Sequence, residues 1–293
     1  MALASIPSPS SGNVHLGPLT IHMYGVMLLL GIAAAIGLTG YRWTRRGGDW
    51  DLVFRTAVWG VAFGVVGARA YHDLTSWDQV PHTWWGPFAV WQGGLGIWGG
   101  ITFGVLAGAF VVRRAGASVT LMLDCVAPAL LVAQAVGRWG NYWNQELYGK
   151  PTSLPWGLEI DADHRPAQAQ YAGNTTFHPI FLYEFVTDLA GAGLLILVGC
   201  RFRIRPPGLF ALYVAYYTFW RMFEELLRVD PSHHFLGERI NFWVALVVFL
   251  AAAVVFVRLQ FYRPAGPEPT TGTRRPSPAG SMAVPRGRVR SRR

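Results

Sequence analysis

Apolar residues in this chain arrive in long unbroken blocks, not at the alternating or three-and-four spacings that mark half-buried strands and surface helices. A helix needs about 20 mostly apolar residues to cross bilayer hydrocarbon. Stretches of that length run from about 18 to 40, 53 to 72, 88 to 112, 118 to 138, 179 to 200, 207 to 227 and 239 to 260. The pattern predicts an all-α integral membrane protein of seven transmembrane helices, one domain over about residues 1–263. Buried helices of a large soluble protein are the competing reading, and so many apolar runs leave too little polar sequence to coat them. Between the fourth and fifth spans, about 139–178, the blocks give way to Gly149, Pro151, Pro155, Gly157, Pro166 and Gly173. Turns are expected there, with a short strand or interfacial piece from Trp156 to Ile160, making a small cap on one membrane face.

Composition agrees: of 293 residues 52% are hydrophobic and 14% charged, outside the usual range of soluble domains. Arg42, Arg45, Arg46 and Arg55 flank the first connection, Arg113 and Arg114 the third, and Arg201, Arg203 and Arg205 the fifth, while Arg258 and an Arg-rich tail follow the last span. The segments before the first span and between the second and third carry no Lys or Arg. Basic loops stay in the cytoplasm, so the amino terminus is expected outside and the carboxyl terminus inside, as an odd number of spans requires. That places the cap on the outer face of the membrane. No cleavable signal is evident before Leu16, so the first span is expected to remain. From about Pro264 the chain is rich in Pro, Gly, Ser and Arg. Disorder is expected there, with the basic charge resting on anionic lipid, not nucleic acid. The tail accounts for much of the net charge of +9. Cys125 and Cys200 read as small buried apolar residues, and no His, Cys and carboxylate cluster at ligand spacing implies a metal or other cofactor.

Arg69, Arg138, Arg221 and Arg228 sit at or inside the outer ends of these blocks. An arginine in hydrocarbon costs roughly 2.5 to 3.5 kcal/mol on insertion scales unless an anion or water meets it. Their common level predicts an anion-binding site at the outer face. In the sixth span Tyr217, Arg221, Glu225 and Arg228 recur at spacings of four, four and three, one stripe of a helix. An internal Arg221 to Glu225 ion pair accounts for part of that ladder but leaves Arg138 and Arg228 unexplained. Arg138 opens the block GRWGNYWNQELYG, where its planar fork suits a phosphate, Asn141 and Asn144 add neutral partners, and Glu146 can orient an arginine or a hydroxyl. The aromatic residues Trp139, Tyr142, Trp143 and Tyr148 match an interfacial belt. In VWQGGLGIWGGITFG the glycines allow close helix approach, or open a helix toward an anion, and Gln92 reaches for the pocket. Tyr24 in IHMYG and His178 with Glu184 in HPIFLYE stand at the same level, Pro179 taking a helix-start position.

Together these blocks, with GARAYH around Arg69 and YTFWRMFEELLR ending at Arg228, resemble the bacterial prolipoprotein diacylglyceryl transferase family over roughly residues 21 to 262. The resemblance implies that phosphatidylglycerol gives its diacylglyceryl group to the lipobox cysteine thiol behind a prolipoprotein signal peptide, releasing glycerol phosphate. It makes Arg138 the phospholipid-binding arginine and Arg221 the second essential one. Tyr24, Asn141, Glu146, Gly149, Tyr217 and Glu225 also fall on matched positions. Many members carry a histidine, proposed as a catalytic base, where this chain has Trp98. Tryptophan takes no proton, so the base is expected elsewhere or not needed.

The expected chemistry is displacement at the glyceryl carbon by a cysteine thiolate, with Arg138 and Arg221 stabilising the leaving phosphate more than the bound lipid. Tyr217, Glu225, or His178 through water can take the thiol proton, and the sequence does not order them. Tyr24 joins these as a catalytic candidate; Asn141, Glu146, Gly149, Arg69, Arg228, Gln92 and His178 are the expected substrate-binding residues. A lipid and a membrane-anchored peptide must both enter sideways, so lateral openings between helices are expected. A carrier that holds an anionic lipid or solute without chemistry is the alternative.

Overall fold

A computed structural model describes residues 5–166, 168–171, 173–230, 232–262 and 271–272. Its long helices are α1 (Met23–Thr44), α2 (Trp50–Thr75), α3 (Ile97–Arg114), α4 (Val119–Trp143), α5 (Ile180–Arg201), α6 (Gly208–Leu227) and α7 (Ile240–Val257). Six of them are long and apolar enough to cross a membrane, which fits a multi-pass membrane protein. The exception is α6, where Arg221, Glu224 and Glu225 place three charges within its last two turns.

Polar side chains set several helix starts. Asp49 accepts the Asp51 N–H to begin α2, and Ser118 accepts the Leu121 N–H at 3.3 Å to begin α4. The start of α6 borrows its cap from another helix: Asp124 of α4 accepts the Phe210 N–H at 3.0 Å, a buried acid at the positive end of a helix. That tie joins the two helices that carry Arg138 and Arg221.

α1 packs on α4, α4 on α5, and α6 on α7, with Ala127, Leu131, Ala192, Leu195 and Leu209 filling the space among α4, α5 and α6. α2 and α3 pack chiefly on each other. Their backbones nearly touch, since a Cβ on Gly67 would lie 2.6 Å from the Gly99 carbonyl oxygen. Close approach is therefore the use made of Gly99, Gly100 and Gly104. The pair joins the rest through a cluster of Trp43, Leu52, Val53, Val112, Leu121, Met122 and Cys125, all at the ends remote from Arg69.

Short antiparallel ladders interrupt the helical pattern: β1 (Asn13–Leu16) with β2 (Leu19–His22), β3 (Leu158–Glu159) with β4 (Thr176–Phe177), and β5 (His234–Phe235) with β6 (Glu238–Arg239). The strand expected near Trp156 is β3. It pairs with β4 and bridges Ile6, and Tyr148, Leu158, Ile160, Phe177, Phe181 and Val229 pack beneath it. This small layer covers one end of the bundle, where α4 and α6 finish and α1, α5 and α7 begin.

Two span boundaries need correction. The first helix begins at Met23, not near residue 18, because the preceding apolar residues form the β1–β2 hairpin. The third begins at Ile97, not near residue 88, because Gly93 and Gly94 adopt left-handed φ of 83° and 68° and the chain enters through two 3-10 turns. Those two glycines thus precede the helix and do not open it. Cys125 is buried as expected, but Cys200 is exposed on α5. The expected disorder from Pro264 falls almost wholly outside the described residues.

Candidate active site at the arginine end of the bundle

The arginines meet through carboxylates. Arg138 Nε on α4 lies 2.7 Å from Glu184 Oε2 on α5, and Glu184 Oε1 receives Arg221 Nη1 at 3.1 Å. Arg221 Nη2 bonds Glu225 Oε1, and Glu225 Oε2 accepts Arg239 Nε at 2.6 Å. Arg239 Nη2 continues to Asp230 Oδ2 at 2.8 Å, whose other oxygen accepts Arg228 Nε at 2.7 Å. Charges of alternating sign thus run from α4 to the start of α7. Pairing offsets the several kcal/mol that each buried ion otherwise costs. Glu184 and Glu225 are the most enclosed members, with side chains 3% and 0% exposed.

The expected internal pair, Arg221 with Glu225, is present, yet the network does not saturate every guanidinium. Arg138 and Arg221 keep side-chain exposures of 16% and 18%. Among the described residues the ion pair of Arg138 is made through Nε, to Glu184, which leaves the Nη edge of the guanidinium for another anion. A guanidinium fixed at one edge with the other edge unoccupied is a fork for a phosphate. Tyr217, one turn deeper on α6, stands within electrostatic reach of Arg138, Arg221, Glu184 and Glu224.

A second group approaches Arg138 from α1 and from the turn after α4. Asn141 Nδ2 donates to Glu146 Oε1 at 2.8 Å, and Asn144 Nδ2 approaches the same oxygen at 3.4 Å. Gln145 and Leu147 adopt left-handed φ of 51° and 57°, strain that folds Glu146 back toward Asn141. The Gln145 side chain secures the turn, donating to Asp161 Oδ2 at 2.6 Å and Pro9 O at 3.0 Å. The Tyr24 ring lies so close to α4 that a Cβ on Gly140 would come within 2.6 Å of it, and its phenol senses both Glu146 and Arg138.

Other expected binding residues have different work. Arg69 is 5% exposed, and its guanidinium donates to the carbonyls of Gly86, Pro87, Gly93 and Gly94 and pairs with Asp73. It clamps the chain between α2 and α3, so the geometry leaves it no phosphate-binding edge. Arg228 is committed to Asp230 and its backbone bridges Gly149. Gly149 is required by that crossing, since a Cβ there would stand 2.8 Å from the His178 Cβ. His178 holds the crossing through its carbonyl, while its Nδ1 meets the Tyr183 hydroxyl at 3.1 Å. Burial lowers the His178 pKa, so the neutral ring is favoured there. The Gln92 side chain lies outside the described residues. Trp98, the second residue of α3, is 56% exposed. A groove of about 800 Å³ between α2 and α3, lined by Trp59, Phe63, Phe110, Arg55 and Arg114, lies at the far end of those helices.

Sequence reasoning named Glu184 only as company for His178, and it passed over Glu224, Arg239 and Asp230. Arg239 carried the same signal as the other arginines, a guanidinium at the end of an apolar block. Glu224 was masked by its neighbour, and Asp230 by its place in a polar turn. Burial alone would raise the Asp230 carboxyl, but hydrogen bonds and charge from Arg228, then Arg239, outweigh it and hold it below the usual carboxylate range.

Residues 12–258 match the family model described as prolipoprotein diacylglyceryl transferase. Among curated relatives, a phosphatidylglycerol–prolipoprotein diacylglyceryl transferase of Cutibacterium acnes is 49% identical over 87% of this chain and 87% of its own length. The one from Frankia alni is 45% identical over 92% of this chain and 70% of its own. A second-copy enzyme of that name from Streptomyces coelicolor is 44% identical over 88% and 81%. With nearly the whole helical bundle inside the matched region, the chain belongs to the prolipoprotein diacylglyceryl transferase family.

Proposed function

We propose that this chain transfers the diacylglyceryl group of phosphatidylglycerol to the cysteine thiol of a prolipoprotein, the reaction its relatives' names describe. The observation that carries the assignment is Arg138, fixed through Nε and still 16% exposed, beside an Arg221 that shares the same glutamate. The bundle crosses the membrane seven times, with α6 shielding its charges among α4, α5 and α7. The amino terminus and the cap lie outside, and the basic ends of α1, α3 and α5 lie in the cytoplasm.

Phosphatidylglycerol enters sideways from the outer leaflet. The pairing of α2 and α3 mainly with each other supports an opening between them and the rest at the arginine end. Arg138 and Arg221 hold the phosphate. The thiol sulfur attacks the glyceryl carbon, the carbon–oxygen bond breaks, and its electron pair leaves on the phosphate. Charge grows on that oxygen in the transition state, where fixed donors count most. Asn141 and Glu146 form the wall that faces Tyr24, and Tyr24 and Tyr217 line the headgroup space. Trp98 takes no part in proton transfer.

Incubation with labelled phosphatidylglycerol and a lipobox peptide tests the assignment. Label is expected on the peptide cysteine, and Arg138→Ala should lower transfer at least about 100-fold, the scale of losing one transition-state donor. The variant should stay folded, because Glu184 keeps Arg221. Lipid bound by the wild type without transfer would identify a carrier instead.

A further inference from the structure

The groove at the far end of α2 and α3 is built from two matching stripes. Along α2 run Arg55, Trp59 and Phe63, each four residues from the last. Along α3 run Phe103, Ala107, Phe110 and Arg114 at spacings of four, three and four. Such spacings keep each set on one helix face, so each stripe is apolar along its length and ends in an arginine at the same end of the bundle. Beside them the backbones approach closely, since a Cβ on Gly104 would lie 3.1 Å from the Gly60 carbonyl oxygen. The rings flank that seam and enclose about 800 Å³. Trp59 and Phe63 lean together with ring centroids 5.8 Å apart, and they, Phe103 and Phe110 all remain exposed.

Its dimensions and charge suit a lipid of one leaflet. Arg114 lies eleven residues beyond Phe103, about 16 Å of helix at 1.5 Å per residue, or about half of a hydrocarbon core about 30 Å thick. At the mouth, among the described residues, α2 contributes Asp49, Asp51 and Arg55, and α3 contributes Arg113 and Arg114. Asp49 is spent on the Asp51 N–H, and Asp51 Oδ2 meets Arg55 Nε at 2.8 Å with both side chains more than half exposed. Three guanidinium groups against two carboxylates leave one positive charge, the complement of one phosphodiester. The arginines of the neighbouring connection are turned elsewhere: Arg42 donates to the Asp124 carbonyl, Arg45 to the Tyr41 hydroxyl and Arg46 to Cys125 Sγ.

The chain's own tail also reaches this mouth, for a Cβ on Gly272 would lie 3.1 Å from the carbonyl oxygen of Ala115, a groove residue. Charge argues against it as the occupant. The next residues in sequence after Thr273 are Arg274 and Arg275, of the same sign as Arg55 and Arg114, and no apolar run follows to lie between the rings.

We propose that the α2–α3 groove binds an anionic phospholipid of the cytoplasmic leaflet, its acyl chains between the aromatic stripes and its phosphate between Arg55 and Arg114. The leaflet named rests on the orientation proposed above, and the match of groove to anionic lipid does not. This site lies at the opposite end of the bundle from Arg138 and takes no part in the chemistry there. Leu52, Val53 and Val112, which attach the α2–α3 pair to α1 and α4, lie within a turn of Arg55 and Arg114. A lipid seated here therefore braces that attachment.

The test places full-length protein in phosphatidylcholine vesicles with a trace of phosphatidic acid or phosphatidylcholine carrying a diazirine on one acyl chain. After irradiation, labelled peptides are mapped by mass spectrometry. Peptides covering 55–63 and 103–114 should take phosphatidic acid over phosphatidylcholine by at least about 5-fold, the scale of one arginine beside anionic lipid. Arg55→Gln combined with Arg114→Gln should bring that ratio to about one by removing the same interaction. Ala107→Trp fills the groove with its charges intact and should lower phosphatidic acid labelling of both stripes to the phosphatidylcholine level. Equal labelling by the two lipids in the wild type, which needs no variant, would overturn the proposal and leave ordinary surrounding lipid. So would a preference that survives the double substitution, or one that appears only when residues 264–293 are removed, which would make the tail the occupant. Cross-linking is read without any transfer reaction, so failure of the transferase assignment would leave this result standing.

Discussion

At the residue scale, Glu184 matters more than its short mention in a sequence motif implies. It is one carboxylate serving two guanidinium groups from different helices. Glu184→Gln should therefore leave Arg138 and Arg221 facing each other and lower stability by about 3–5 kcal/mol, the cost of breaking a buried pair, read as thermal unfolding in detergent. Asp230 gives a pH test. Its folded-state pKa is depressed by Arg228 and Arg239, so its contribution is complete above the ordinary carboxylate value of about 3.9 and is lost as pH falls through the folded value. Unfolding temperature should drop below about pH 4 in the wild type and change less over that window in Asp230→Asn. The arginines themselves were legible in the sequence because a guanidinium in an apolar block needs a reason. Apart from Glu225, one turn from Arg221, their partners were not, because Glu184, Asp230 and Arg239 reach the site from separate segments, and such pairing is a tertiary fact. Arg69 shows the converse. Its position marked it correctly as a charge that must be met, but the partners proved to be backbone carbonyls, which no residue pattern displays.

At the scale of elements, hydropathy located every long helix and misplaced two starts. Blocks of apolar residues report burial in lipid or protein without distinguishing a helix from a hairpin or a 3-10 turn. The β1–β2 hairpin and the Gly93 and Gly94 turns were therefore absorbed into spans. The glycines of α3 were legible as close packing, and the structure adds their counterparts on α2, Gly60, Gly64 and Gly67. Gly67→Val should separate the two helices and cost about 1–3 kcal/mol, as overpacking does, because a Cβ there meets Phe103 and the Gly99 carbonyl. Gly137→Ala on α4 has open space within 4 Å and should leave unfolding temperature and transfer unchanged. Measured side by side, the pair separates packing from any general intolerance of glycine replacement.

At the scale of the whole molecule, the proposed orientation can be read chemically. Cys200 is exposed near the end of α5 beside Arg201, so a membrane-impermeant maleimide should label it only after spheroplasts are opened, whereas a cysteine placed at Ser11 should react in intact ones. The charge chain also fixes an order of construction. Glu225 meets Arg221 through one oxygen and Arg239 through the other, and Arg239 immediately precedes α7. A nascent chain that has inserted only as far as α6 therefore carries a half-neutralised acid in its interior. The helix that follows, α7, is the one that relieves it, so release from the insertion machinery before α7 emerges should be penalised and the site should become competent only once α7 is in place.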